Sequence, residues 1–551
     1  MDRKTLVNRA VGVALLASLL AIAAKNMVVD LDLFHEMALY RQMELEGAMP
    51  TTDAFAYTKT NDPVVHHEWA TGAILYWICV RWGTGAAGLV ATKYLLTFAV
   101  GLGCFLLVRR RGVDLPVFTV LVPVALNLGG WMAFTNIRAQ LFTLVFLVAL
   151  LWLLDVDRRG GRWWIAIWLP MVVIWGNVHG GVVSGLGLIG CYGIARTCEA
   201  WIAHRSIKPT FLAVRHLVFT GLATAGLLNV SPYGWEYVPY LIRAIRMPRP
   251  LIPEWNPVWN LETNDALIFW AVSVVIAGVA VWKSGLKLRE GHGDHHSPET
   301  SQASEPDMRR TNAYAYELFT PLALLLTAWM AAKHYRHGSL YAVTWICLVP
   351  PLLQPTPIAR AIENLWHRYA ATVGVLATGI AVVALGYSIQ ARFWELRIPG
   401  QRAYQGEPIL VYPVGPVQYL ADAQFEGNLF VPFNLGAFVS WKLWPAVKVS
   451  IDSRYEVAYP PGALEQNLSF YYALDDWRQA VEQTPTDAIL IPLDQPVAER
   501  LGELQSPSPD GGGGWTLCYQ DQEFLLLVRS ELAQHLPRVD NRKAKVVGRF
   551  P

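Results

Sequence analysis

The sequence predicts an α-helical polytopic membrane domain of about eleven spans followed by a small soluble α/β domain, and three observations lead to that fold class. Hydrophobic residues make up 53% of the 551 positions and charged residues 16%, too apolar a balance for an ordinary soluble chain. The apolar residues gather into runs of near-membrane length as far as Ile389. Beyond Arg392 the text changes to short strand-like and helix-like runs in alternation. The domain boundary is therefore set between 1–391 and 392–551.

The apolar runs lie near Ala10 to Val29, Gly85 to Val108, Leu115 to Ala133, Ala139 to Leu154, Trp163 to Val178 and Gly180 to Ala195. Further runs cover Leu212 to Val230, Ala266 to Trp282, Leu318 to Ala332, Ser339 to Leu353 and Ala370 to Ile389. The first follows Arg3 and Lys4 like a secretory signal, but it continues to Val29 and is read as an uncleaved span. Trp69 to Trp82 is apolar yet short, and is read as an interfacial or re-entrant helix.

That reading sets the parity. With the N-terminus inside, Arg109-Arg110-Arg111, Arg158 with Arg159 and Arg162, Arg196 with Arg205 and Lys208, the loop 283–314, and Arg360 with Arg368 all fall on the cytoplasmic side, as the positive-inside rule requires. The first outer loop, 30–68, and the C-terminal domain then lie outside. The net charge of +2, from 45 basic and 43 acidic residues, supplies no field for nucleic acid as a partner. Five of the six cysteines lie in or beside apolar runs, so no disulfide framework or thiolate metal site is readable. The loop 283–314 reads as a flexible linker, and the tight spacing of His292, His295 and His296 within it as incidental.

The same parity gathers the polar residues that are hardest to explain structurally on one face: 30–68, Asn136 to Arg138, Asn177 to His179, Asn229 to Glu262, and Lys333 to His337. The first of these begins Asp30-Leu-Asp32-Leu-Phe34-His35-Glu36, where Leu33, Met37 and Tyr40 recur at helical spacing. An amphipathic helix on the membrane surface is expected there. Asp30 and Asp32 suit its N-terminus as caps; a carboxylate at that place also suits general-base work on an acceptor hydroxyl.

The loop continues Gly47-Ala-Met-Pro50-Thr-Thr-Asp53-Ala-Phe55-Ala-Tyr57-Thr58, then His66-His67-Glu68-Trp69. Later come Arg138-Ala-Gln140-Leu-Phe142, Trp175-Gly-Asn177-Val-His179-Gly180-Gly181, Asn229-Val-Ser-Pro232-Tyr233-Gly234-Trp235, Asn434-Leu-Gly436 and Ile451-Asp452-Ser-Arg454. In this order the motifs resemble those of bacterial multi-pass proteins of the GT-C glycosyltransferase class. Ala139 stands where that class has proline, and Ala437 and Ser453 where it has glycine.

The resemblance implies an inverting transferase in a bacterial inner membrane, similar to protein O-mannosyltransferases and aminoarabinose transferases. Its donor would be a sugar linked to polyprenyl phosphate and its acceptor a glycan, lipid or protein on the outer face. It assigns Asp32, then Asp30, as the catalytic base. Glu36, Asp53, Tyr57, His67, Glu68, Arg138, His179, Tyr233, Lys333 and Arg336 become candidates for binding substrate, the cations for the donor's phosphate. No cofactor is implied, although Asp30-Leu-Asp32 has the form of a divalent-cation motif. Two other classes fit the same composition: a lipid or glycan transporter or flippase, and a non-catalytic envelope-assembly protein with a glycan-binding outer domain.

Overall fold

A computed structural model describes residues 3–24, 29–130, 134, 137–249, 252–261, 263–293, 317–392, 394–404, 410–506 and 514–551. The chain divides into two compact units. The first comprises Met1–Asn26, Ala91–Ser231 and Ile245–Trp394; the second joins Met27–Val90 and Pro232–Ala244 to Glu395–Pro551.

The first unit is a helix bundle. Among the described residues six helices are long and apolar enough to cross a membrane: Thr5–Ala23, Gly85–Arg110, Ala139–Arg158, Ile207–Leu227, Asp265–Lys283 and Ala370–Gln390. A seventh span results if Tyr335–Leu353 and Pro357–Arg368, which meet at a 90° bend, count as one. The eleven spans expected from the sequence are thus too many. Leu115–Leu128, Trp164–Val178 and Phe319–Lys333 are apolar but short of span length. Val182–His204 is long enough, but its glycines, Arg196 and Glu199 lower its hydropathy.

Burial ranks these helices. Ala139–Arg158 is 72% buried over its apolar window, against 17–28% for the other five, so it forms the core while they turn apolar side chains outward, as lipid-facing helices do. Its last turn carries Asp155 and Asp157, both enclosed. Arg110, Arg111 and Arg159 reach Asp155 at 3.3, 3.2 and 2.8 Å. Asp157 accepts from Trp164 Nε1 and Tyr192 Oη, both at 2.7 Å, and pairs with Arg162 and His216. Buried carboxylates persist only with such full pairing, and here they tie neighbouring helices to the central one.

The second unit contains a mixed sheet. Its strands are β1 (Gly427–Phe430), β2 (Val447–Val449), β3 (Ala488–Pro492), β4 (Trp515–Gln520), β5 (Phe524–Arg529) and β6 (Val539–Asp540). Their order is β2-β1-β3-β5-β4-β6. β1 runs parallel to β2 and β3, β5 antiparallel to β3 and β4, and β4 parallel to β6. β3 and β5 are unbroken apolar runs buried along nearly their whole length, the pattern of strands covered on both faces. Ile489, Ile491, Leu525 and Leu527 pack with Phe430 and Phe470 as the core.

Residues of the segment 30–68 complete this sheet. Tyr57 N–H donates to Val449 O at 3.0 Å and Val449 N–H to Phe55 O at 2.9 Å, which sets Ala56 beside the edge strand β2. The helix Leu31–Glu46 packs against Trp69–Tyr76 and Gly436–Leu443 and buries Leu33, Phe34, Glu36, Met37, Ala38, Leu39 and Gln42. It is a core helix and not the surface helix its periodicity predicts, because its second face has a partner hundreds of residues downstream. Trp69–Tyr76, extended by a π-turn at Trp77–Arg81, belongs to the same unit.

Candidate functional site

Asp30 caps the helix Leu31–Glu46, accepting from the Asp32 N–H at 3.1 Å. Its carboxylate is 4% exposed and occupied by the helix end, where such a group satisfies an otherwise unpaired donor. Asp32 lies in the first turn, partly open to solvent. Glu36 follows one turn on, 3% exposed, and shares a hydrogen bond with Glu68. Burial, then the charge of Glu68, hold Glu36 well above the ordinary carboxylate range, and Asp32 and Asp30 act in the same sense. Two carboxyl groups in contact retain a proton between them, because both cannot ionise cheaply.

The hydrogen-bonded line continues. Glu68 Oε1 lies 3.1 Å from His67 Nε2, and His67 Nδ1 lies 2.8 Å from Tyr240 Oη. Glu36, Glu68, His67 and Tyr240 therefore form an unbroken chain of proton-carrying side chains. Gly72 permits it. A Cβ there would stand 2.2 Å from the Glu36 carbonyl oxygen, so only glycine lets Trp69–Tyr76 approach the acidic helix closely enough. From the other side Phe34 meets Phe438 and Tyr412 edge-on, with ring centroids 5.1 and 5.6 Å apart.

Asp53 and Tyr57 serve the fold. Asp53 accepts from the Phe55 and Ala56 N–H groups at 2.8 and 2.7 Å and pairs with Arg454. Tyr57 Oη meets Thr486 Oγ1 at 2.7 Å. Arg454 is enclosed, held by both Asp452 oxygens and by Asp53, and lies over the Phe55 ring at 5.2 Å. Beside it are two histidines absent from the expected set. His35 faces Ser453 Oγ at 3.4 Å, and burial pushes it down to about 4 against the opposing pull of Asp452. His66 is buried under Tyr233 with centroids 6.4 Å apart; burial, then Arg454, keep it well below the usual histidine range. Tyr233 itself donates to Pro50 O at 3.4 Å.

The remaining candidates fall in the first unit. Arg138 and Arg336 share one carboxylate, Glu254, at 3.1 and 3.2 Å. Burial opposes its ionisation, but Arg336 and then Arg138 bring Glu254 below its ordinary value. Arg249 and Arg336 lie over the Trp255 ring at 3.9 and 4.6 Å, and His334 Nδ1 meets the Trp255 carbonyl at 2.7 Å. Gln140 donates to Arg336 O and Ser339 Oγ at 3.0 and 2.8 Å. The R-x-Q element and Lys333-His-Tyr-Arg336 are thus brought together by Glu254. Lys333 is exposed above Trp329, the arrangement of a snorkelling helix-end lysine.

His179 accepts at Nδ1 from the Gly181 N–H at 3.1 Å and meets Thr143 Oγ1 at 2.7 Å, so its ring proton sits on Nε2. A Cβ at Gly181 would lie 2.4 Å from that Nδ1, so this glycine makes room for the histidine's own hydrogen bonds. Asn136, His295 and His296 lie outside the described residues. Among the described residues no three histidine, cysteine or acidic side chains converge in a metal-binding group.

Sequence reasoning missed His35, His66 and Glu254. Each acquires its meaning from residues distant in the chain: Ser453 lies 418 positions from His35 and Glu254 lies 116 from Arg138. Asp452 and Arg454 were visible as part of a motif, and Glu68 by its place in His-His-Glu-Trp. Compared with known proteins, the chain matches no family model and no curated sequence.

Proposed function

We propose that this membrane protein is an inverting glycosyltransferase that moves a sugar from a polyprenyl-phosphate donor to an acceptor on the outer face of a bacterial inner membrane. The reading rests on one observation joined to the motif order: the buried Glu36 of the 30–68 segment is hydrogen-bonded to Glu68 and held protonated by burial and by the charges of Glu68, Asp32 and Asp30 around it. Clustered acids cost stability, and perturbed carboxyls of this kind mark sites of proton transfer. With Asp30 committed to the helix cap, Asp32 is the base. It takes the proton of the acceptor hydroxyl as that oxygen attacks the anomeric carbon, and the sugar's bond to the polyprenyl phosphate breaks with its electron pair on the phosphate. Glu68, His67 and Tyr240 offer the proton a route onward. On this reading the N-terminus is cytoplasmic and the sheet-bearing unit extracytoplasmic.

The test uses purified protein in lipid nanodiscs with radiolabelled polyprenyl-phosphate sugars and an extract of envelope glycans, lipids and proteins as acceptors. Asp32→Asn is expected to lower transfer about 100-fold or more, Glu36→Gln to lower it by a smaller factor, and Asp30→Asn to retain most of it. Full transfer in Asp32→Asn removes the proposed base. A transport reading draws on Lys93, 2% exposed within Gly85–Arg110, since ionisable groups inside spans line pathways. Donor flipping without sugar transfer in the same nanodiscs would favour it.

A further inference from the structure

The segment 228–264 links Ile207–Leu227 to Asp265–Lys283, two helices long and apolar enough to cross a membrane. Ten residues after the first of them the chain forms the helix Tyr237–Arg246, entered through the single turn Gly234–Glu236. One face of this helix is already in use. Tyr237, Tyr240 and Leu241 are buried, positions that share a face at three- and four-residue spacing, and Tyr240 Oη meets His67 Nδ1 at 2.8 Å.

The opposite face is open and mixes two chemistries. Ile242, Arg243, Ile245 and Arg246 are exposed, and Trp235, in the entering turn, is 81% exposed. Ile242 lies one turn from both Ile245 and Arg246, and Arg243 one turn from Arg246, so apolar and cationic side chains form one patch. Neither arginine takes part in an ion pair among the described residues. Glu236, seven residues before Arg243, stands about 10 Å away along the axis at ~1.5 Å per residue.

The tryptophan and the two isoleucines gain by leaving water, and the guanidiniums gain by meeting an oxyanion. A bilayer surface with acidic lipids supplies both at once, since arginine stems lie along the apolar layer while their heads reach the phosphates. Tryptophan favours that same boundary. The chain keeps the surface within reach: ten residues beyond the end of a span extend to no more than about 35 Å.

We propose that the outward face of Tyr237–Arg246, together with Trp235, is an interfacial anchor that binds anionic phospholipid. Trp235, Ile242 and Ile245 enter the boundary between headgroups and acyl chains, and Arg243 and Arg246 hold lipid phosphates. The anchor goes beyond the transferase reading and stands without it, because it uses none of the acids around Glu36 and none of the Arg138 cluster. It does bear on that line of side chains, since Tyr240, at the far end from Glu36, projects from the inner face of the same helix.

The test is photolabelling from the bilayer. Full-length protein is placed in nanodiscs of equal phosphatidylglycerol and phosphatidylcholine, with a diazirine near the top of one acyl chain of either lipid in separate samples. After photolysis and pepsin digestion, mass spectrometry counts the lipid attached to residues 235–246. Wild type is expected to carry phosphatidylglycerol in excess over phosphatidylcholine. Arg243→Gln/Arg246→Gln is expected to lose that excess by roughly five-fold for each arginine removed, with an unchanged melting temperature. Arg243→Lys/Arg246→Lys keeps most of it, because the attraction is to charge. The fluorescence difference between wild type and Trp235→Phe gives a second reading: brominated lipid should quench it and acrylamide in the water should not. Equal labelling of wild type by the two lipids, or an excess unchanged in the glutamine double variant, overturns the proposal. So does a Trp235 that acrylamide quenches and no lipid labels, the result expected of a face kept for a soluble protein partner.

Discussion

His35 and Glu36 are adjacent in sequence, yet burial acts on them with opposite consequences for proton binding. His35 stays neutral in the fold down to about 4, whereas an unfolded histidine protonates near 6.5. Between those values the unfolded chain holds more protons, so the contribution of His35 is complete above about 6.5 and is lost as pH falls toward 4. Glu36 is raised. The fold holds its proton where the unfolded chain has released it, so its contribution is complete below the usual carboxylate pKa and is lost as pH rises through the folded value. Melting temperatures of single variants separate the two. The advantage of His35→Gln over wild type should grow as pH drops from about 6.5 to 4, and that of Glu36→Gln as pH climbs above about 5. Each should amount to roughly 1 kcal/mol per pH unit crossed. Differences that stay flat with pH would deny the burial of these groups.

At the scale of elements, the contact between Leu31–Glu46 and Trp69–Tyr76 depends on the absence of one methyl group at Gly72. Gly72→Ala forces the two helices apart, with an expected cost of about 1–3 kcal/mol in chemical denaturation. Sugar transfer should fall with it, because Glu68 precedes the displaced helix. A variant as stable and active as wild type would show that the close approach is dispensable. How far elements were legible depended on how local their causes are. The strands at Ala488 and Phe524 are legible because an unbroken apolar run buried along nearly its whole length identifies itself. The helix Ala463–Tyr471 was not anticipated, since Glu465, Gln466 and Asn467 interrupt its apolar pattern. Leu31–Glu46 was read as a helix correctly in kind and wrongly in place. The span count failed for a different reason: apolarity alone does not set length, and Leu115–Leu128, Trp164–Val178 and Phe319–Lys333 are apolar without having the length of a span.

On the scale of the whole molecule, the division into units does not follow chain order, because Met27–Val90 clusters with Glu395–Pro551. A chain ending before Glu395 would uncover Phe34, Phe55 and Met37 and leave Asp53 without Arg454. Such a truncation is expected to be cut by protease within 47–64 in minutes while the full chain resists; equal resistance would refute the shared core. The candidate site was legible as a set of acids because they lie close together in sequence. Its histidines and its arginine gained meaning only through this long-range assembly. The same arrangement bears on how the protein is made. Trp444 Nε1 donates to Ala54 O across 390 positions, and at about 5–20 residues per second that gap corresponds to roughly 20–80 s of translation. Throughout that interval the acidic helix is outside the ribosome with its apolar second face bare, so the newborn chain has reason to engage a chaperone until Gly436–Leu443 arrives.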